Sequence, residues 1–281
     1  MIYCSTGGYY NKSAYTISKN YISNGIKNIE LSGGIYSKNL ISNIKKLSKK
    51  YNFIAHNYFP PPKKKFVINL ASCNKEIVKR SMQHITKSIL LSSKLNAHYF
   101  SFHAGFRFDP IIKDLGKNFN YYNVLNNRER SLSNFILNVN KLAKIAKEEG
   151  ITLLIENNVL TKANFKTFKD NPLLMVDEKE CQKIMSSTSS NVGLLIDLGH
   201  LKVSSKTLKF DKINFLKKCD KWIKGYHLSE NNGIIDNNMP FNSKSWFWKN
   251  LKKNLNFYVI EVYNISIIEM IGQIKIAKNK L

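Results

Sequence analysis

Short runs rich in β-branched and aromatic residues alternate eight times with segments whose apolar residues recur at helical spacing. That alternation restricts the chain to parallel βα units. The strand candidates are Ile2–Ser5, Asn28–Ser32, Asn52–His56, His98–His103, Thr152–Glu156, Gly193–Asp197, Gly225–Leu228 and Phe257–Val262. Eight units predict an α/β fold, a single (β/α)8 TIM barrel, with residues 1–281 forming one domain. Barrels of this kind commonly use about 250 residues.

The intervening segments carry their own helix signals. Val78, Met82, Ile85 and Ile89 follow one another at spacings of four, three and four, after Ser72, which is read as an N-cap. Leu132, Phe135, Ile136, Val139 and Leu142 repeat the stripe, and Gly150 stands where a C′ glycine would end that helix. Asp177 and Glu180 have the spacing of a capping box. All these apolar residues are expected to be core.

Composition narrows the class further. There is no uncharged apolar run of about 18 residues, so no membrane span is expected, and Met1-Ile2-Tyr3-Cys4 lacks the layout of a signal peptide. A cytoplasmic protein is expected. Cys4, Cys73, Cys181 and Cys219 lie far apart without a C-x-x-C pair, which argues against a zinc ribbon or a disulfide framework. The net charge of +25 would suit nucleic acid, but only four of the 44 basic residues are arginine (Arg80, Arg107, Arg128, Arg130) and lysine is spread through most helical segments. A solvated lysine face is the commoner meaning, and nucleic acid is the less favoured partner without being excluded. A homo-oligomer is left open.

The chemistry lies where the apolar runs stop. Leu153-Leu154-Ile155 leads into Glu156, Leu194-Leu195-Ile196 into Asp197, Gly225-Tyr226 into His227, and Tyr258-Val259-Ile260 into Glu261. Phe53-Ile54-Ala55 ends at His56 and Tyr99-Phe100-Ser101-Phe102 at His103. Any one of these alone would more often be a cap, a surface ion pair or a satisfied loop residue. Six at equivalent strand ends converge on one barrel mouth, and clustered carboxylates resist burial unless a cation compensates them. A divalent metal at Glu156, Asp197, His227 and Glu261 follows. The segments after the strands are rich in Asn, Gly and Pro, notably Asn57-Tyr58-Phe59-Pro60-Pro61-Pro62, Asn157–Leu174 and Ser229–Ser243. In such barrels the loops at the C-terminal strand ends build the active site.

His200 follows Asp197 in Asp-Leu-Gly-His, where the glycine is expected to allow a tight bend returning the imidazole to the mouth. It could serve as a ligand, an outer-sphere group or a substrate contact. Asp236 could ligate a metal, orient the site or simply shape a turn. His84 and His98 fall away from the mouth and are read as structural.

These residues and their order resemble the xylose-isomerase-like TIM barrels, a superfamily of sugar and sugar-phosphate isomerases and epimerases, inosose-type enzymes and endonuclease IV-like abasic-site nucleases (AP endonuclease family 2). The resemblance covers nearly all eight units. It implies metal positions at Glu156, Asp197, His227 and Glu261, and the Asp197-Leu-Gly-His200 motif matches too. Phe66–Ser72 and His103-Ala-Gly105 look like the endonuclease branch, where residues at the positions of His56 and His103 hold a second metal bridged through Glu156. That branch builds a third zinc from residues matching His200, Asp236 and a histidine two residues later, but here that position is Asn238, and an amide is a poor zinc ligand. By contrast, Tyr226–Gly233 resembles the corresponding segment of keto-sugar epimerases and isomerases.

The leading expectation is therefore a metal-dependent sugar or sugar-phosphate isomerase or epimerase using Mn, Mg, Co or Zn. Proton transfer would pass through a metal-stabilised enediolate, with Glu156 and Glu261 as the catalytic acid and base. His56, His103, Arg107, His200 and Asp236 would contact substrate, and the Tyr58–Pro62 loop would exclude water. Two alternatives are a zinc phosphodiesterase cleaving abasic DNA, with a second metal at His56 and His103, and a non-catalytic barrel that binds a sugar.

Overall fold

A computed structural model describes residues 1–9, 11–114, 119 and 124–281. Eight parallel strands close into a barrel in sequence order: β1 (Ile2–Ser5), β2 (Asn28–Ser32), β3 (Asn52–His56), β4 (Tyr99–His103), β5 (Thr152–Glu156), β6 (Val192–Asp197), β7 (Ile223–Leu228) and β8 (Tyr258–Ile260). The expected (β/α)8 class is what the chain adopts. Closure is made by β1 pairing with β8, Ile2 opposite Tyr258 and Cys4 opposite Ile260.

Among the described residues, nine helices surround the barrel: α1 (Ala14–Ser23), α2 (Leu40–Leu47), α3 (Lys75–Lys94), α4 (Arg128–Glu148), α5 (Lys162–Phe168), α6 (Glu178–Ser186), α7 (Leu198–Leu208), α8 (Lys212–Cys219) and α9 (Ile267–Lys280). The apolar stripes land on the sheet, with Ile85, Ile89, Phe135, Val139 and Leu142 fully buried. Gly150, at φ +70°, follows the end of α4 as a C′ glycine should.

Three local expectations are corrected. Asn74, not Ser72, caps α3, accepting from the Glu76 N–H at 2.9 Å. Ser72 instead accepts from the Asn74 N–H and donates to Asp109, which sets the turn before the helix. Asp177 does cap α6, but the Glu180 carboxylate turns to the Met175 N–H and Arg128 rather than closing a capping box. Finally, the β7–β8 connection carries only a single 3₁₀ turn, Trp248–Asn250, where a full helix would complete the seventh unit. Gly233 and Asn238 take positive φ there, and Phe241, Phe247 and Trp248 stack edge to face to cover the barrel instead.

Strand alternation sorts side chains into two layers. Ile29, Leu31, Phe53, Ala55, Phe100, Phe102, Ile155, Ile196, Tyr226 and Ile260 join the main core beneath the helices. The opposite phase fills the barrel interior, where Tyr3, Ile54, Leu154, Leu195, Phe257 and Val259 form a separate apolar plug with Tyr99 against it. Gly225 makes room in that plug, since a Cβ there would lie 2.5 Å from the Phe257 ring. Two residues further along the same phase stand Ser5, His56, Ser101, Glu156, Asp197, His227 and Glu261. The apolar plug is thus the floor on which the polar cluster rests.

The four cysteines are free, with Cys4, Cys181 and Cys219 buried. No helix of the described residues is long and apolar enough to cross a membrane.

Candidate metal centre

His227 stands at the middle of the cluster. Its Nδ1 lies 2.7 Å from Glu261 Oε2, 3.3 Å from Glu156 Oε1 and 3.8 Å from Asp197 Oδ2. Glu156, Asp197 and His227 have no solvent exposure, and Glu261 very little. Burial alone would lower the His227 pKa, but Glu261, Glu30 and Glu156 raise it well above the ordinary imidazole value. Burial opposes ionisation of Glu156, yet His103, His227 and His56 hold its pKa well below the usual range. Glu261 is likewise carried down to about 2 by His227 despite its burial. Asp197 goes the other way, raised well above its ordinary value by burial and by Asp236, Glu156 and Glu261, with His200 opposing. Protons on His227 and His200 thus neutralise neighbouring carboxylates that would otherwise repel one another, whereas burial pushes His103 down to about 4.

The neutralisation is incomplete in geometry. Eight buried side-chain polar atoms among the described residues lack a hydrogen-bond partner, and Glu156 Oε1, Glu156 Oε2, Asp197 Oδ2 and His227 Nδ1 are four of them. Buried polar groups left this way cost about 1–3 kcal/mol each. Candidate ligand atoms of Glu156, Asp197, His227 and Glu261 all lie within 4.8 Å of one another. Three carboxylates and one imidazole, with their free atoms facing a common point, fit a divalent cation.

Three further donor groups overlap this one. His56, His103 and Glu156 form the first, with His56 Nε2 3.4 Å and His103 Nδ1 3.7 Å from Glu156 Oε2. The His56 ring is anchored through Nδ1, 2.9 Å from Ser101 Oγ. Asp197, His200 and Asp236 form the second. Here His200 Nδ1 donates to the Asn157 carbonyl at 2.8 Å and Nε2 faces Asp236 Oδ2 at 3.2 Å. Glu30, His56 and His227 form the third.

Asp197 owes its placement to two braces. The Asn157 side chain accepts from its N–H at 2.8 Å and donates to its carbonyl at 3.2 Å. Asp197 Oδ1 then caps α7 by accepting from the His200 N–H, leaving Oδ2 for the pocket. Gly199 makes no bend of the expected kind, for it lies inside α7 with ordinary helical backbone. Its role is space: a Cβ there would come within 2.7 Å of Ser229 Oγ and 2.9 Å of Asp236 Oδ1. The loop after β7 can therefore press down on α7 and bring Asp236 to His200.

Arg107 does not join the group. It is buried, pairs with Asp170 and donates to the carbonyls of Asn171 at 2.8 Å and Asn126 at 3.2 Å, so its Nε and Nη1 brace two loops. His84 is buried with Nε2 against the Asn57 carbonyl, and His98 is exposed just before β4, both consistent with structural roles. Asn238, at φ +45°, accepts the Tyr263 N–H through its backbone carbonyl.

Two residues beside the cluster escape the sequence reading. Tyr263 Oη donates to Glu261 Oε1 at 2.5 Å, and Gly7 and Gly8 leave room for its ring. Glu30, in the middle of β2, is fully buried and accepts from His227 Nε2 at 3.0 Å. Its signal is present in the sequence: a carboxylate between Ile29 and Leu31 interrupts an otherwise apolar strand in the inward phase.

The sequence matches the family described as xylose isomerase-like TIM barrel over residues 23–270. No curated protein matches it significantly. Solved structures share the fold at low identity. A D-tagatose 3-epimerase-like protein is 18% identical with a TM-score of 0.73, covering 99% of this chain and 96% of that one. The apo form of 3-keto-D-glucoside 4-epimerase, YcjR, from E. coli is 10% identical with a TM-score of 0.67, covering 99% and 97%. The TTHB071 protein from Thermus thermophilus, soaked with ZnCl2, is 14% identical with a TM-score of 0.64, covering 99% and 98%. With a match extending over most of its length and a closed eight-stranded barrel to carry it, the chain belongs to the xylose isomerase-like TIM barrel family.

Proposed function

We propose that this protein is a metal-dependent isomerase or epimerase of a small sugar or sugar derivative, with Glu156 and Glu261 as its proton-transferring residues. The observation that carries the reading is the pairing of those two buried carboxylates about His227 Nδ1, at 3.3 and 2.7 Å, in a pocket floored by apolar side chains. The names of the two similar epimerases support it. Glu156, Asp197, His227 and Glu261 would hold a divalent cation such as Mn, Mg, Co or Zn. When bound, that ion supplies Lewis-acid polarisation of adjacent carbonyl and hydroxyl oxygens.

The chain's own groups do the rest. One glutamate takes the proton from the carbon beside the carbonyl and the other returns a proton, so stereochemistry or carbonyl position changes without redox. Tyr263 holds Glu261 by its Oε1 and leaves Oε2 toward the pocket. His103, partly exposed at the rim, offers a ring nitrogen to substrate oxygens, while His200, held at both nitrogens by the Asn157 carbonyl and Asp236, fixes the Asp236 carboxylate beside the pocket. The loop after β3 excludes water, with Phe59 fully buried and the Tyr58 hydroxyl accepting from the Ile68 N–H at 2.9 Å.

The test is solvent isotope exchange. Protein loaded with Mn2+, Mg2+, Co2+ or Zn2+ and offered a panel of ketoses in D2O should incorporate deuterium at a carbon next to the carbonyl, and Glu156→Gln and Glu261→Gln should each abolish turnover. Absence of exchange with every ketose, or exchange surviving in both variants, overturns the assignment.

A second reading, a two-metal phosphodiesterase, draws on one specific observation: His56, His103 and Glu156 make a second donor group that shares Glu156 with the first. Two cations bridged in that way could clamp attacking and leaving oxygens. A synthetic abasic duplex with Zn2+ at low salt decides it, since an uncut duplex removes the reading.

A further inference from the structure

A carboxylate with no solvent exposure ordinarily costs several kcal/mol unless a cation or several donors compensate it. Glu30 meets that cost with an unusual set of partners. Among the described residues, no lysine or arginine lies within ion-pairing distance of it; His227 is the one basic group that close, with a ring nitrogen of His56 within 4.8 Å. Oε2 lies 3.0 Å from His227 Nε2, and Oε1 accepts from Ser5 Oγ at 2.9 Å. Ser5 and Glu30 stand directly opposite each other in the β1–β2 register, so the Oε1 contact is set by strand pairing, while Oε2 reaches His227 of β7 across the barrel interior.

The consequence falls on His227. An imidazole has two nitrogens, and the hydrogen bond made by one decides which is free to bind a cation. Nε2 faces Glu30, a carboxylate that can only accept, so Nε2 keeps its proton and acts as donor. Nδ1 is left among Glu261, Glu156 and Asp197, without a hydrogen bond of its own. We infer that Glu30 is the positioning residue of the metal centre, fixing through its bond to Nε2 both the ring orientation of His227 and the identity of Nδ1 as its ligating atom. The role is indirect: Glu30 is not among the four candidate ligands Glu156, Asp197, His227 and Glu261, and it meets His227 at the ring nitrogen opposite the one that faces them.

This inference rests on the metal-centre part of the proposed function, and its test reads metal binding rather than turnover. Zn2+ affinity is measured by titration calorimetry for the native protein, Glu30→Gln and Glu30→Ala, with circular dichroism confirming the fold of each. Glu30→Ala removes the acceptor and should weaken Zn2+ binding by about 10- to 100-fold, the range expected when an outer-sphere partner is lost. Glu30→Gln keeps an acceptor oxygen for Nε2 and an amide for Ser5 Oγ, so binding should return to within about threefold of native. A merely structural role would change melting temperature without this pattern of loss and rescue. Histidine ring 15N–1H spectra of the native Zn2+-loaded protein supply a readout that needs no variant: Nε2 of His227 should carry a proton and Nδ1 none.

Equal affinity in Glu30→Ala and native protein, failure of Gln to rescue, or a protonated Nδ1 would each overturn the positioning role while leaving the metal centre standing. Native protein that binds none of Zn2+, Mn2+, Mg2+ and Co2+ removes the metal centre itself, and this inference with it.

Discussion

Tyr263 Oη donates to Glu261 Oε1 at 2.5 Å, from a ring that packs where Gly7 and Gly8 carry no side chain. Burial, with Glu261 and Glu30 nearby, raises the phenol pKa well above its ordinary value, so the hydroxyl stays a donor throughout the neutral range. The bond favours the ionised form of Glu261 and fixes which oxygen faces the pocket.

Replacing Tyr263 with Phe removes that donor. A hydrogen bond to a charged group is worth about 1.5–3 kcal/mol, so the step that uses Glu261 should slow by roughly 10- to 100-fold. Loss of a donor to the carboxylate also raises its pKa, and the acidic limb of the rate profile should move to higher pH. A pH–kcat profile of Tyr263→Phe identical to native would contradict this.

Removing the metal should expose a pH dependence with a definite sign. His227 and His200 have folded-state pKa values raised well above the ordinary imidazole value, burial being outweighed by Glu261 and Glu30 for one and by Asp197 and Asp236 for the other. Each contributes stability that is fully present below about pH 6.5, the unfolded value, and is lost as pH rises toward the folded one. Chelator-treated protein should therefore lose melting temperature progressively above about pH 6.5. Protein with saturating Mn2+ should hold its melting temperature over the same range, because a bound cation compensates the carboxylates once the imidazoles release their protons. Parallel thermal scans from about pH 6 to about pH 9 make the comparison.

Gly199→Ala improves intrinsic helix propensity yet should destabilise. The new Cβ would sit 2.7 Å from Ser229 Oγ and 2.9 Å from Asp236 Oδ1, and overpacking typically costs about 1–3 kcal/mol. Urea unfolding gives the stability. A variant as stable as native would show that the loop after β7 does not depend on this gap.

Arg107→Met tests a placement rather than a mechanism. Asp170 is 53% exposed, so that ion pair contributes little, but the Asn126 carbonyl loses its donor and the Asn171 carbonyl keeps only the longer bond from Arg128. A stability loss of about 1–3 kcal/mol with KM unchanged is expected. A large rise in KM at unchanged melting temperature would return Arg107 to the substrate site.

Strand number, strand phase and the four acidic or imidazole residues at the ends of β5, β6, β7 and β8 are all legible in the amino-acid order. A period of two forces Glu156, Asp197 and His227 inward once their apolar neighbours are committed to the helices. Their convergence follows from closure alone. What the order does not reveal depends on distances between residues far apart in the chain. Arg107 reads as a substrate group because its partners, Asn126 and Asp170, lie 19 and 63 residues away. Gly199 reads as a hinge because the loop it accommodates starts some thirty residues later. Glu30 and His227, separated by 197 residues, meet only after the barrel has closed, when hydrogen-bond direction becomes a property of the assembled interior. Periodicity settled which residues face inward; the folded barrel settled which atom of each is left free.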